Sequence, residues 1–183
     1  MSKTKEFHRP DNWSKAHQLL KRSDIHTIPL NVGPRPTALT NLSADAFVDL
    51  EKLNLNYINV GEDGNVHIGA MTTLQDIYQS DMIKSQAGGV LTEAAYLSAT
   101  LGLRNLASIA GTITDAENPP DVPLVLMALD AIVTVQKDEN QTRQVALHEW
   151  MKDCTKVLLP GEAILEVSFP AQSMVGGALV RVN

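Results

Sequence analysis

Two short stretches hold the residues of this chain whose types and spacing best suit ligand chemistry. Residues 31–37 read NVGPRPT and directly follow a strand-like run, while residues 108–112 read SIAGT and follow Arg104 and Asn105. Both offer small residues and backbone N–H groups that can come close to a diphosphate without a large positive charge beside it. A third stretch, ENPPD, ends on Asp121. Each stretch taken alone also reads as a plain connector between a helix and a strand, and both uses stay open at this level.

Other chemistries lack their residues. The five histidines, at positions 8, 17, 26, 67 and 148, stand singly without HxH or HExxH spacing. No GxSxG elbow, Walker lysine loop or GxGxxG fingerprint occurs. The acidic pairs Glu62-Asp63 and Asp138-Glu139 fall in predicted turns, where solvation accounts for them. Cys154, the single cysteine, sits among Lys152, Asp153 and Lys156 and reads as an ordinary thiol. One cysteine excludes an internal disulfide, a Cys-rich zinc site and a cysteine-ligated cluster, which fits a reducing compartment.

Short strands and short helices alternate to position these stretches. DNWSKAHQLL opens with capping-type Asp11 and Asn12 and spaces Trp13, Ala16, Leu19 and Leu20 for a helix. IHTIPLNV predicts a strand that Gly33-Pro34-Arg35-Pro36 must stop. YINVGEDGNVHIGA predicts a hairpin with Ile58 and Val60 opposite Val66 and Ile68, and Asp63-Gly64 in its turn. Thr73 and Asp76 have the spacing of a capping box. GVLTEAAYLSATLG predicts a half-buried helix ended by Gly102, and VPLVLMALDA a short buried one. AIVTVQ, RQVALHEW and EAILEVSFP predict strands.

At 183 residues, 44% apolar and 20% charged, the chain has room for one domain or two small lobes. A net charge of −6 argues against a general phosphate-backbone binder, so no nucleic-acid partner is expected. Lys3, Lys5 and Arg9 read as a solvated basic tail. There is no signal-peptide core and no apolar run of membrane-spanning length, so the expectation is a cytoplasmic protein without a membrane span. The fold class expected is α+β (α/β), with a small N-terminal βα lobe over residues 1–55 and a larger mixed-sheet lobe over 56–183, divided near residues 54–57.

From HIGAMTTLQDI through GVLTEAAYLSATLGLRNLASIAGTI to PPDVPLVLMALDAIVTV and LPGEAILEVSFP, the order of segments resembles one known family. It is similar to the FAD-binding subunit or domain of the molybdenum hydroxylases, the group containing xanthine dehydrogenase and the medium subunit of aerobic carbon monoxide dehydrogenase. FHRPDNWSKAHQLL fits the family's opening strand and helix, so the likeness covers nearly the whole chain. The resemblance implies two α/β lobes holding an extended FAD. It also implies electron flow from a molybdenum centre in a partner, through iron–sulfur clusters, to FAD and then to NAD or another acceptor. The implied partners are a molybdopterin-binding large subunit and an iron–sulfur small subunit, with a homo-oligomer as a further expectation. The family's smaller C-terminal domain is expected to be absent after SFPAQSMVGGALVRVN.

The family's first pyrophosphate loop, roughly Ala-Gly-Gly-Thr-Asp/Asn, falls on NVGPRP. Gly33 keeps the pattern, Val32 stands at a glycine, Pro34 has no N–H to offer, and the Arg35 fork suits a phosphate if it does not face solvent. The second, Arg-Asn-x-Ala-Thr-Ile-Gly-Gly-Asn, falls on RNLASIAGT, where Arg104, Asn105, Ala107, Ile109 and Gly111 match. Ser108 keeps the threonine hydroxyl, Ala110 replaces the first glycine, and Thr112 replaces asparagine. Ala110 is harmless if its φ is negative and costs about 1 kcal/mol or more if it is left-handed. Asp121 keeps the acid of Ser-Pro-x-x-Asp, implied to accept a ribityl or ribose hydroxyl, while Glu117 puts a charge where the family has serine. Two readings follow: an FAD-binding electron-transfer component, or a flavin-free paralogue acting as a structural or assembly subunit.

Overall fold

Asn12 starts the first helix as its sequence predicts: its extended backbone leaves the side-chain oxygen to accept the Lys15 N–H at 3.0 Å. In the computed structural model, which describes residues 6–30, 32–34, 44–115, 121–153, 158–172 and 176–180, this helix follows a short strand. Strand β1 (Glu6–His8), helix α1 (Trp13–Leu20), β2 (Thr27–Pro29) and β3 (Ala46–Val48) make a small parallel sheet in the order β1-β3-β2. Ala16 and Leu20 of α1 pack with Val48 and Leu50 in its core. Arg9 belongs to this lobe and is not part of a solvated tail. Its Nη2 sits 2.7 Å from buried Asp49 and its Nη1 3.3 Å from Glu51, joining the end of β1 to the end of β3. Lys3 and Lys5 lie outside the described residues.

After a single 3₁₀ turn (Glu51–Leu53), β4 (Ile58–Val60) and β5 (Asn65–Gly69) form the predicted hairpin, with Ile58 opposite Ile68 and Val60 opposite Val66. Gly64 supplies the positive φ, +77°, that its turn needs. Five helical segments follow: α2 (Leu74–Gln79), α3 (Asp81–Lys84), α4 (Val90–Ser98), α5 (Leu101–Arg104) and α6 (Ile109–Thr114). Thr73 and Asp76 close a reciprocal capping box on α2. Gly102 does not end the long helix. Ala99 is extended, so α4 stops at Ser98 and Gly102 lies inside α5.

Helix α7 (Asp121–Ala128) leads to β6 (Ile132–Gln136), β7 (Thr142–Ala146), a short α8 (Leu147–Trp150) and β8 (Ala163–Pro170). RQVALHEW is therefore a strand only to Ala146. Beyond it the chain turns helical and inserts Leu147 and Trp150, both fully buried, into the core. The larger sheet runs β4-β5-β8-β6-β7 and is antiparallel at every pairing. Parallel and antiparallel pairings are thus segregated between two sheets, within an α+β fold. Val66, Ile68, Val133, Val167 and Phe169 form its core face, each at most 1% exposed. Between the lobes, His17 Nδ1 of α1 lies 2.8 Å from the Gly161 carbonyl in the turn before β8. Among the described residues, no helix is long and apolar enough to cross a membrane.

Candidate functional site

The two predicted stretches meet. Leu30 N–H pairs with the Val48 carbonyl at 2.8 Å, extending β2 alongside β3, and the chain then passes under the start of α6. There the Val32 carbonyl accepts the Ser108 N–H at 2.9 Å. A side chain on Gly111 would place its Cβ 2.0 Å from the Val32 oxygen and 2.7 Å from the Gly33 nitrogen. Glycine is required at 111 because backbone crosses backbone, not because of a left-handed φ. Ala110 lies inside a right-handed helix, so its methyl carries no backbone penalty.

Helix α6 spends its polar groups inside the protein. The Ser108 side chain caps it by accepting the Gly111 N–H at 3.1 Å. Ile109 N–H donates to the Thr72 carbonyl at 2.9 Å and Ala110 N–H to the Ala70 carbonyl at 3.1 Å. Thr112 donates both its N–H and its hydroxyl to the Ser108 carbonyl, at 2.9 and 2.8 Å. At the far end, Trp150 Nε1 donates to the Ile113 carbonyl at 3.1 Å. Ile109, Ala110, Thr112 and Ile113 are fully buried. Among the described residues, Gly33 N–H has no acceptor, although Gly33 itself is buried.

Arg104 is 7% exposed, and its guanidinium serves the helices around it. Nη1 donates to the carbonyls of Tyr96 and Ala99, where α4 has run out of helical partners, and Nε donates to Gln75 Oε1 at 2.9 Å. The charge also lies 4.9 Å from the Tyr96 ring centre and 5.4 Å from that of Tyr78. Asn105 follows at the end of α5 with its side chain exposed. Asp121 begins α7 and is half-buried. Arg35, Glu117 and Cys154 lie outside the described residues.

Sequence reasoning missed the acceptors on Ala70 and Thr72 and the Gln75, Tyr78 and Tyr96 cradle. No local signal marks Ala70, Thr72, Gln75 and Tyr78, because each pairs with a residue more than 25 positions away, whereas Tyr96 lies eight residues before Arg104. A cavity of about 310 Å³ between α4 and α7 is lined by Val90, Leu124, Val125 and Leu179, and touches none of the predicted site residues. A cluster of linked titratable groups lies elsewhere, around β5 and β8. His67 holds Glu166 through Nδ1 at 2.9 Å and Asp63 through Nε2 at 3.1 Å, and Tyr57 donates to Glu166 at 2.8 Å. Burial disfavours the His67 imidazolium, but the two carboxylates outweigh it and raise its pKa. The His67 hydrogen bond holds Asp63 down at about 2, while burial, then Glu166, pushes Tyr57 up. Among the described residues, no group of three or more His, Cys, Asp or Glu could hold a metal ion.

Three comparisons bear on this arrangement. The glyceraldehyde dehydrogenase medium chain of Sulfolobus acidocaldarius is 29% identical over 166 residues, 88% of this chain and 58% of its own length. Subunit alpha of the 6-hydroxypseudooxynicotine dehydrogenase complex of Paenarthrobacter nicotinovorans is 36% identical over 117 residues, covering 63% of this chain and 39% of that one. The reconstituted CO dehydrogenase from Oligotropha carboxidovorans superposes with a TM-score of 0.80 over 93% of this chain and 60% of its own, at 24% identity, which speaks to the fold. The chain thus spans well under two thirds of these relatives. The profile of the FAD binding domain in molybdopterin dehydrogenase matches residues 3–172. With that profile spanning nearly the whole chain, the chain belongs to the FAD-binding domain family of the molybdopterin dehydrogenases.

Proposed function

We propose that this chain is the FAD-binding electron-transfer component of a molybdenum hydroxylase-type oxidoreductase. In that role it passes electrons from partner iron–sulfur clusters to an acceptor such as NAD. A molybdopterin-binding large subunit and an iron–sulfur small subunit are its proposed partners. The names of two relatives, a medium chain and a complex subunit alpha, support a multi-subunit setting. Residues 1–55 and 56–183 act as two walls, with the cofactor between them.

One observation carries the reading: Gly33 is buried, its N–H has no acceptor among the described residues, and it lies where residues 32–33 cross the start of α6. A buried donor of this kind suits a phosphate oxygen and is costly if left unpaired. The first loop therefore fits the diphosphate of FAD. Gly33, its neighbours in sequence Val32, Pro34 and Arg35, and Asp121 at the start of α7 are the proposed contacts. When bound, FAD supplies the ability to take up and release electrons singly or in pairs. The protein's part is to hold the diphosphate through Gly33 and to accept sugar hydroxyls at Asp121. Arg104 sets the end of α4, and so the direction in which Asn105 is presented.

The test is spectroscopic. Purified chain mixed with FAD and desalted is expected to keep a flavin absorbance, and Gly33→Pro, which removes the N–H, is expected to lose it. A wild-type protein that stays colourless and gives no binding heat with FAD would leave the structural-subunit reading in its place.

A further inference from the structure

We infer that the turn formed by residues 108–112 is a clasp: it fixes the backbone of Val32 and Gly33 and donates no backbone hydrogen bond of its own to a diphosphate. This inference rests on the proposed FAD-binding reading only for its functional meaning. The geometry stands without it.

The amides of 108–112 all have protein acceptors: Val32 O, Thr72 O, Ala70 O, the Ser108 hydroxyl and Ser108 O, in chain order, at 2.9 to 3.1 Å. To turn any of the first three toward a phosphate, a carbonyl on another segment would have to be abandoned, and those of Ala70 and Thr72 belong to buried residues, where an unpaired acceptor is penalised. The side chains are committed as well, Ser108 to the Gly111 N–H and Thr112 to the Ser108 carbonyl. What remains for the turn to control is the segment it touches. Ser108 holds the Val32 carbonyl by hydrogen bond, and the missing Cβ of Gly111 lets that carbonyl and the Gly33 nitrogen lie against α6. Ser108 and Gly111 are thus positioning residues that act on a ligand through Gly33. The side chains of Ala110 and Thr112 are fully buried and face no ligand, the Thr112 hydroxyl being held by the Ser108 carbonyl.

Amide hydrogen exchange on the full chain, with and without FAD, tests this directly. Without FAD, the amides of residues 108–111 are expected to be protected already, and adding FAD is expected to increase protection at Gly33 but not at 108–111. Free exchange at 108–111 that becomes protection with FAD would overturn the clasp. FAD titrations give the second arm. The double variant Ala110→Gly with Thr112→Asn is expected to give no tighter binding, whereas Gly111→Ala is expected to raise the dissociation constant by about tenfold or more. Ser108→Ala is expected to weaken binding and Ser108→Thr, which keeps the hydroxyl, to restore it. A gain of about tenfold from the double variant would show that the turn meets the ligand itself. If no variant binds FAD, the proposed function fails, while the exchange pattern of the free chain still decides the clasp.

Discussion

In the parallel sheet each strand is three residues long, and charged side chains hold the ends together: Arg9 on Asp49 and Glu51, and Arg22 on Glu6 and Asp24. In the antiparallel sheet β8 runs for eight residues, and its core face is Val66, Ile68, Val133, Val167 and Phe169. That sheet also has a forked ion pair, Arg143 on Glu162 at 3.0 and 2.7 Å, with Glu162 itself 5% exposed. Burial of apolar surface therefore carries both sheets, but the small one has fewer paired residues over which to do it and adds ion pairs at its strand ends. Exposed pairs are individually weak and screened by salt. The small lobe should open locally at a lower free energy than the large one. The first loop hangs from the weaker sheet and is pinned by α6, a helix of the stronger lobe.

Phe169→Ala should cut deepest into this contrast. Emptying a site that is 1% exposed is expected to cost about 3–5 kcal/mol, read as a lowered midpoint in urea for the whole chain. A loss confined to one lobe, or below about 1 kcal/mol, would show that the core face is not what holds the sheet. Asp49→Ala comes next. It removes the carboxylate that Arg9 grips and that accepts the Glu51 N–H at 2.9 Å, for an expected cost of about 1–2 kcal/mol. Faster amide exchange should appear at Leu30 and Ala46, with Val133 and Val167 unmoved, and salt at about 0.5 M should reproduce part of the effect in the wild type. Uniform loss across both sheets would erase the distinction between the lobes.

The smallest effect is the pH dependence set by His67. Its pKa is raised in the folded chain, so its contribution is complete below the unfolded value of about 6.5 and fades as the pH climbs through the higher folded value. His67→Gln, which cannot take a charge, should flatten that decline in urea unfolding series run between about pH 5.5 and 8.5. Parallel profiles for the two proteins would mean that the Glu166 and Asp63 contacts do not charge the ring.

What could be read from the sequence follows the same division between near and distant partners. The hairpin from Ile58 to Ile68, the Asn12 cap and the Thr73–Asp76 box are settled by residues a few positions apart, and each stands where its pattern puts it. The end of α4 is set by tertiary contacts: the Arg104 guanidinium satisfies the Tyr96 and Ala99 carbonyls, and Gly102 has no part in stopping the helix. Val145 and Leu147 alternate like strand residues in RQVALHEW, yet Leu147 and Trp150, three positions apart, enter the core from one face of a helix. At the site, the pattern RNLASIAGT located the right segment but not its use, because its acceptors lie on Val32, Ala70 and Thr72, between 37 and 76 residues away by difference of position. A glycine pattern cannot distinguish room for a ligand from room for another strand of backbone.

The place of β8 has a consequence for how the molecule is made. It is the last of the described strands along the chain but stands third of five in the sheet, between the β4–β5 and β6–β7 hairpins. Each hairpin can close as soon as it is synthesised, yet nothing joins one to the other until residues 163–170 arrive and pair on both sides. During synthesis the two hairpins must wait with one edge of each unpaired, the condition in which sheets are open to wrong partners. Completion of the larger sheet is therefore a single late event, and the α6 clasp gains a firm wall behind it only then.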